Sequence, residues 1–155
     1  MLRSCEHLMF ATQHGANGRA PARILVAEDD ADLRPMIALA LTEAGFEVVE
    51  AADGSILLDY LAGSLEEDGP FDKFDVIVSD IQMPGFTALD VLAGSQRFVT
   101  RTPILLVTAV SDPEVHARAR QLGAAGVMTK PVDVDELCLE VCRLLTRSMP
   151  GLNAT

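Results

Sequence analysis

From Arg23 onward the chain is built of short runs of consecutive apolar residues, each stopped by a polar residue and followed by an amphipathic stretch. The first run, Ile24-Leu25-Val26-Ala27, ends at Glu28-Asp29-Asp30. It lacks the alternation of a half-solvated strand and suits a strand covered on both faces, as in parallel sheets. The residues after it have helical period. Leu33, Ile37, Ala40, Leu41 and Ala44 share a face, Asp32 is placed to cap, Pro35 falls in the first turn, and Gly45 stops the helix.

The unit recurs. Phe46 to Glu50 reads as a second strand, and Asp53-Gly54 opens a helix using Ile56, Leu57, Tyr60 and Leu61. Ser64 to Lys73 reads as a polar loop, and Phe74 to Ser79 as a third strand broken at Asp80. After Met83-Pro84-Gly85 comes a helix with Ala88, Val91, Leu92 and Ser95 on one face. Pro103 to Val107 is a fourth strand ending at Thr108, and Asp112-Pro113-Glu114 is a strong helix start. That fourth helix has a thin apolar stripe of Val115, Ala119 and Leu122, closed by Gly123. Ala125 to Thr129 is a fifth strand, followed by Lys130-Pro131. A last helix over about 133–147 carries Val134, Leu137, Cys138, Val141, Cys142 and Leu145. Five strands alternating with five helices predict an α/β domain, a doubly wound parallel sheet covered on both faces.

Residues 1–22 are read as a flexible leader, 23–147 as the domain and 148–155 as a tail, with no second domain expected after Leu145. With 12 basic and 23 acidic residues the formal charge is −11, which argues against direct nucleic-acid binding. No signal peptide is visible, and the run from Ile104 to Val110 is too short to span a bilayer. Cys5, Cys138 and Cys142 form no disulfide framework and no metal pair, and reduced thiols suit the cytoplasm. His7, His14 and His116 read as solvated, and Met83 and Met128 as packing residues.

The polar residues that interrupt the apolar runs collect at one kind of place. Glu28 and Asp29 follow the first strand, Asp80 the third, Thr108 ends the fourth, and Lys130 follows the fifth. Sites in open α/β sheets form outside the carboxyl ends of the strands where strand order reverses. In the order 2-1-3-4-5 that point lies between strands one and three, which supply the three carboxylates. Clustered carboxylates repel unless cations compensate, and a hard ion such as Mg²⁺ and the ammonium of Lys130 are the natural compensators. Such a site suits attack by Asp80 on a phosphoryl group, with Lys130 neutralising its oxygens and Thr108 donating a hydrogen bond. Singly, each residue would be an ordinary cap or surface group, as Asp30 and Asp32 are read to be. Their joint occurrence carries the assignment.

At these residues the chain resembles the receiver domain of two-component response regulators. The resemblance rests on Ile24 to Asp30, on Asp75-Val76-Ile77-Val78-Ser79-Asp80-Ile81-Gln82-Met83-Pro84-Gly85, on Pro103 to Ala109, and on Gly123 to Pro131, and runs from about residue 23 to 147. It implies a flavodoxin-like (βα)5 fold and a cis Lys130–Pro131 peptide. It further implies Mg²⁺ held by Asp29 and Asp80, by Glu28 through water and by the Gln82 carbonyl. Asp80 would be the phosphoacceptor, supplied by a histidine kinase or phosphotransfer protein, with Thr108 and Lys130 closing on the phosphoryl oxygens. No activity is implied beyond Mg²⁺-dependent self-phosphorylation and self-dephosphorylation. The expected output of a stand-alone, cytoplasmic receiver is partner docking, or homodimer formation, on the face of the fourth helix, fifth strand and fifth helix. Two departures stand out: Thr87-Ala88 where the family often has Asp-Gly, and Val127 where it has a switch aromatic. Two other readings compete. An aspartyl-phosphate phosphatase needs a second acid where this chain has Gln82, and a purely scaffolding receiver would leave the complete pocket unused.

Overall fold

The computed structural model describes residues 21–64, 74–83 and 102–148. In chain order it contains β1 (Arg23–Ala27), α1 (Leu33–Glu43), β2 (Glu47–Ala51), α2 (Gly54–Ser64), β3 (Val76–Asp80), β4 (Ile104–Thr108), α3 (Pro113–Gln121), β5 (Gly126–Thr129) and α4 (Val134–Ser148). α3 and α4 are thus the fourth and fifth helices expected from the sequence. The helix expected after Gly85, with Thr87 and Ala88, lies outside the described residues, as do His7, His14 and the segment 65–73.

All five strands are parallel, as the sequence predicted, in the order β2-β1-β3-β4-β5 that the resemblance implied. Alternation along the strands sorts their side chains into two cores. Ile24, Val26, Val76, Val78, Leu105 and Val107 face α1 and α4, meeting Ile37, Leu41, Leu137 and Val141. Leu25, Ala27, Ile77, Ile104 and Leu106 face the other way, toward Leu57 of α2 and Ala119 of α3. Every residue of β3 and β4 is buried, which is why those strands read as unbroken apolar runs. Removal of these side chains from water supplies the main stabilisation, about 1.5–3 kcal/mol for each fully buried Leu, Ile or Val.

The ends of the elements differ in detail from the sequence reading. Asp32 makes no side-chain cap of α1. Asp30 does that work: its Oδ1 accepts from the amides of Asp32 at 2.8 Å and Leu33 at 3.1 Å, which hold its carboxyl below the usual range. Asp53 and Asp112 cap as expected, accepting from the amides of Ile56 and Glu114. The Ser55 hydroxyl and the Ile56 amide likewise lower the Asp53 carboxyl. Gly45 and Gly123 end α1 and α3 with φ of 98° and 102°, a conformation that glycine adopts without strain. β3 runs one residue further than predicted and takes Asp80 into its last position, opposite Val107.

Cys138 is a buried free thiol, with its pKa pushed up to about 11 by burial and the nearby charge of Asp135. Cys142 is also buried but is disulfide-bonded, so the expectation of uniformly reduced cysteines does not hold for it. Met83 is buried and Met128 packs against the core, as packing residues should. Among the described residues no helix is long and apolar enough to cross a membrane.

Candidate functional site

The register places the carboxyl ends of the strands side by side. Ala27 pairs with Ser79, Asp80 with Val107, and Thr108 with Thr129. The ladder continues one step past the strands: the Glu28 amide donates to Ala51 O at 3.1 Å, Ile81 to Val107 O at 3.2 Å, and Lys130 to Thr108 O at 2.7 Å. Parallel pairing therefore brings Glu28, Asp80, Thr108 and Lys130 to one edge of the sheet, although 102 residues separate the first from the last.

Three carboxylates meet there. Oxygen atoms of Glu28, Asp29 and Asp80 all lie within 4.8 Å of one another. Glu28 and Asp80 are buried, at 1% and 6% exposure, and Asp29 is open to solvent. The cost of burying two like charges is offset by Lys130, whose Nζ donates to Asp80 Oδ2 at 2.8 Å and to Glu28 Oε1 at 3.1 Å. Burial pushes the Glu28 carboxyl up; the bonds from Lys130 and from the Asp30 amide pull it down without cancelling that rise. For Lys130 burial acts downward, but the bonds and charges of Asp80 and Glu28 outweigh it, so the ammonium is held above its ordinary value.

The surrounding backbone fixes these groups. The Gln82 amide donates to Asp80 Oδ1 at 3.0 Å, so both Asp80 oxygens are engaged before any ligand arrives. Gln82 itself is exposed, on the turn just past β3. The Asp30 amide donates to Glu28 Oε1 at 3.2 Å, and Arg34 Nη1 donates to the Glu28 carbonyl at 2.9 Å. Lys130 precedes a cis peptide to Pro131, as the resemblance implied. Thr108 is fully buried at the end of β4, its Oγ1 accepting from the Val110 amide at 3.0 Å.

The donor set fits a hard divalent cation. It consists of carboxylate oxygens, one of them from an exposed residue that leaves a side open to water and to a phosphate. Sequence reasoning missed two supporting groups. Arg34 carried no signal, since its role depends on α1 folding back over Glu28. His116, expected to be solvated, is half-buried, and its Nε2 lies 2.8 Å from the Val110 carbonyl. Val127 is half-buried and packs against the core on the α2–α3 side of the sheet.

Comparison with known proteins agrees with this geometry. A family model described as the response regulator receiver domain matches residues 24–142. The alkaline phosphatase synthesis transcriptional regulatory protein SphR of Synechococcus elongatus is 35% identical over 128 residues, covering 82% of this chain and 50% of that protein. The regulatory protein AtoC of Escherichia coli is 35% identical over 123 residues, covering 79% of this chain and 25% of that protein. The chain thus spans half or less of these two relatives. Among solved structures, the chemotaxis response regulator CheY4 of Vibrio cholerae superposes with a TM-score of 0.71 at 30% identity, covering 81% of this chain and all of that one. The receiver domain of the Francisella response regulator 1452 gives 0.74 at 26% identity, covering 83% of this chain and 99% of that one. With the family's motifs on the ends of β1, β3, β4 and β5, and its sheet order reproduced, the chain belongs to the response regulator receiver domain family.

Proposed function

We propose that Asp80 accepts a phosphoryl group from a phosphohistidine on a histidine kinase or phosphotransfer protein, and that the phosphorylated chain signals by binding a protein partner. The observation that carries this reading is the Lys130 ammonium, held at 2.8 Å from Asp80 and 3.1 Å from Glu28. A fixed cation among buried carboxylates serves a site that must take on further negative charge. An oxygen of Asp80 attacks phosphorus, the P–N bond breaks with its electron pair leaving on the imidazole, and an acyl phosphate forms on Asp80. The bonds from Gln82 and Lys130 orient the Asp80 carboxylate beforehand, which removes part of the entropic barrier. Lys130 then neutralises phosphoryl oxygens, and Thr108 offers its hydroxyl as a donor. Asp29 and Asp80, with help from Glu28 and the Gln82 carbonyl, would hold Mg²⁺, which would supply charge to offset repulsion between the carboxylates and the incoming group.

The chain turns over no external substrate in this reading. It only loses its own phosphoryl group to water, in a cytoplasmic setting where kinase and partner meet. The partner docks on the face of α3, β5 and α4. A groove of about 480 Å³ lies there, with Arg120, Glu136, Glu140 and Arg143 on its walls and Gly126 and Val127 of β5 among its lining residues. β5 is the last strand of the sheet, and mixed charge around an apolar floor suits a protein ligand.

The test is intact-mass measurement after incubation with acetyl phosphate and Mg²⁺. One added phosphoryl group is expected on the wild type and none on Asp80→Asn. An unmodified wild type, or equal modification of both, would refute the assignment.

A further inference from the structure

We propose that His116 is a positioning residue that holds the loop between β4 and α3 in its resting form, and so sets how readily Thr108 leaves that form. The inference rests on the phosphoryl-accepting role of Asp80 only for its functional consequence; the latch itself is a property of the resting chain.

Both polar backbone groups of Val110 are engaged. Its amide donates to Thr108 Oγ1 at 3.0 Å, and its carbonyl lies 2.8 Å from His116 Nε2. A carbonyl can only accept, so Nε2 must carry a proton in this arrangement. His116 is presented by a firm element. α3 is capped by Asp112, the His116 amide donates to the Asp112 carbonyl, and three residues on Ala119 is fully buried. The histidine therefore reaches back from an anchored helix to pin the one loop residue that also engages the Thr108 hydroxyl.

Thr108 is the only hydroxyl-bearing residue among the five of β4, and in the resting form it serves as an acceptor for Val110. To donate to a phosphoryl group on Asp80 its side chain must turn or shift, and the Val110 amide loses that acceptor. The Val110 peptide can follow or find water only if the loop moves, and the His116 bond resists that movement. Val127, half-buried on β5, is a small aliphatic residue with no polar group to hold the loop. A restraint on the Thr108 hydroxyl is thus supplied from α3 through Val110.

Two variants separate the roles of His116. His116→Phe keeps the ring and removes the donor, and His116→Gln keeps a donor of similar reach. In the resting protein, Val110 amide exchange read by NMR should rise about fivefold in His116→Phe, the equivalent of one neutral hydrogen bond of ordinary net strength, and stay near wild type in His116→Gln. Exchange of amides in β1 and β3 should not change, which separates loop release from general destabilisation. Titration with beryllofluoride and Mg²⁺, followed by the same spectra, should show about fivefold tighter binding to His116→Phe than to wild type or His116→Gln. Unchanged Val110 exchange in His116→Phe, or an equal effect of both variants, would overturn the latch. If beryllofluoride binds no variant, the phosphoryl reading of Asp80 fails, and Val110 exchange still decides on the latch by itself.

Discussion

Replacing Lys130 by Met tests the electrostatic design of the pocket. The substitution keeps an unbranched side chain and deletes the ammonium that bonds Asp80 at 2.8 Å and Glu28 at 3.1 Å. At 4.8 Å, the outer limit of separation within the cluster, two carboxylates repel by about 3.5 kcal/mol at an effective dielectric constant near 20. Breaking a fully buried ion pair ordinarily costs about 3–5 kcal/mol. The Lys130 side chain is 22% exposed, so water reaches part of the site and the lower figure applies. Glu28 limits the loss further. Its carboxyl is already raised by burial, and without Lys130 it can take up a proton instead of enduring the repulsion. A cost of about 2–3 kcal/mol follows, and for a domain of this size each kcal/mol lowers Tm by roughly 2–4 °C.

The measurement is a double-mutant cycle by urea unfolding near neutral pH in EDTA, with Lys130→Met, Asp80→Asn and the pair. In the Asp80→Asn background only Glu28 needs the ammonium, so removing Lys130 should cost at least ~1 kcal/mol less than in wild type. Added Mg²⁺ should then restore more stability to Lys130→Met than it adds to wild type, because lysine and metal answer to the same carboxylates. An equal cost of Lys130→Met in both backgrounds would show that the lysine acts by packing alone and refute the argument.

Other consequences can be measured separately. Because the Glu28 carboxyl is raised in the folded state by burial, its contribution to stability is fully present below its unfolded value, near 4.5, and is lost as pH rises through the folded value; Glu28→Gln should therefore gain stability relative to wild type as pH rises above about 4.5 in EDTA, and a pH-independent difference would contradict this. Cys138, buried with a thiol pKa of about 11, should resist iodoacetamide at pH 8 in the native protein and react in urea, as mapped by peptide mass; fast native labelling would mean that α4 opens readily. Leu41→Ala, at a fully buried position of α1, should cost about 2–5 kcal/mol in urea unfolding, and a cost below ~1 kcal/mol would mean that α1 does not seal this side of the sheet.

The sheet was legible because parallel strands buried on both faces leave unbroken apolar runs, as in Ile24-Leu25-Val26-Ala27 and Ile104 to Val107. The candidate site was legible for a related reason. Once the strands are known to be parallel, the polar residues that end them must share one edge, so Glu28, Asp80, Thr108 and Lys130 assemble without any need to see side chains. Boundaries were less legible. Asp80 ends its apolar run chemically, yet it pairs with Val107 and belongs to β3, because backbone pairing does not depend on side-chain polarity. The cap of α1 was misplaced for a similar reason. Asp30 and Asp32 are equivalent in composition, and only the turn geometry lets Asp30 reach two amides.

His116 shows where sequence reading stops. Its partner is a backbone carbonyl six residues away, and every residue has one of those, so no residue type marks the contact. The difference divides the molecule. The proposed phosphoryl acceptance rests on side chains fixed at strand ends, where pattern and chemistry coincide. The latch proposed for the loop after β4 depends instead on the Val110 backbone, where no side-chain type marks it. Val127 stands between the two. It pairs with Leu106, two residues before Thr108, packs on the core side with Leu106, and also lines the groove beside α4. Leu106 and Val127 therefore form a packed connection between the end of β4 and the groove, with no aromatic at this position.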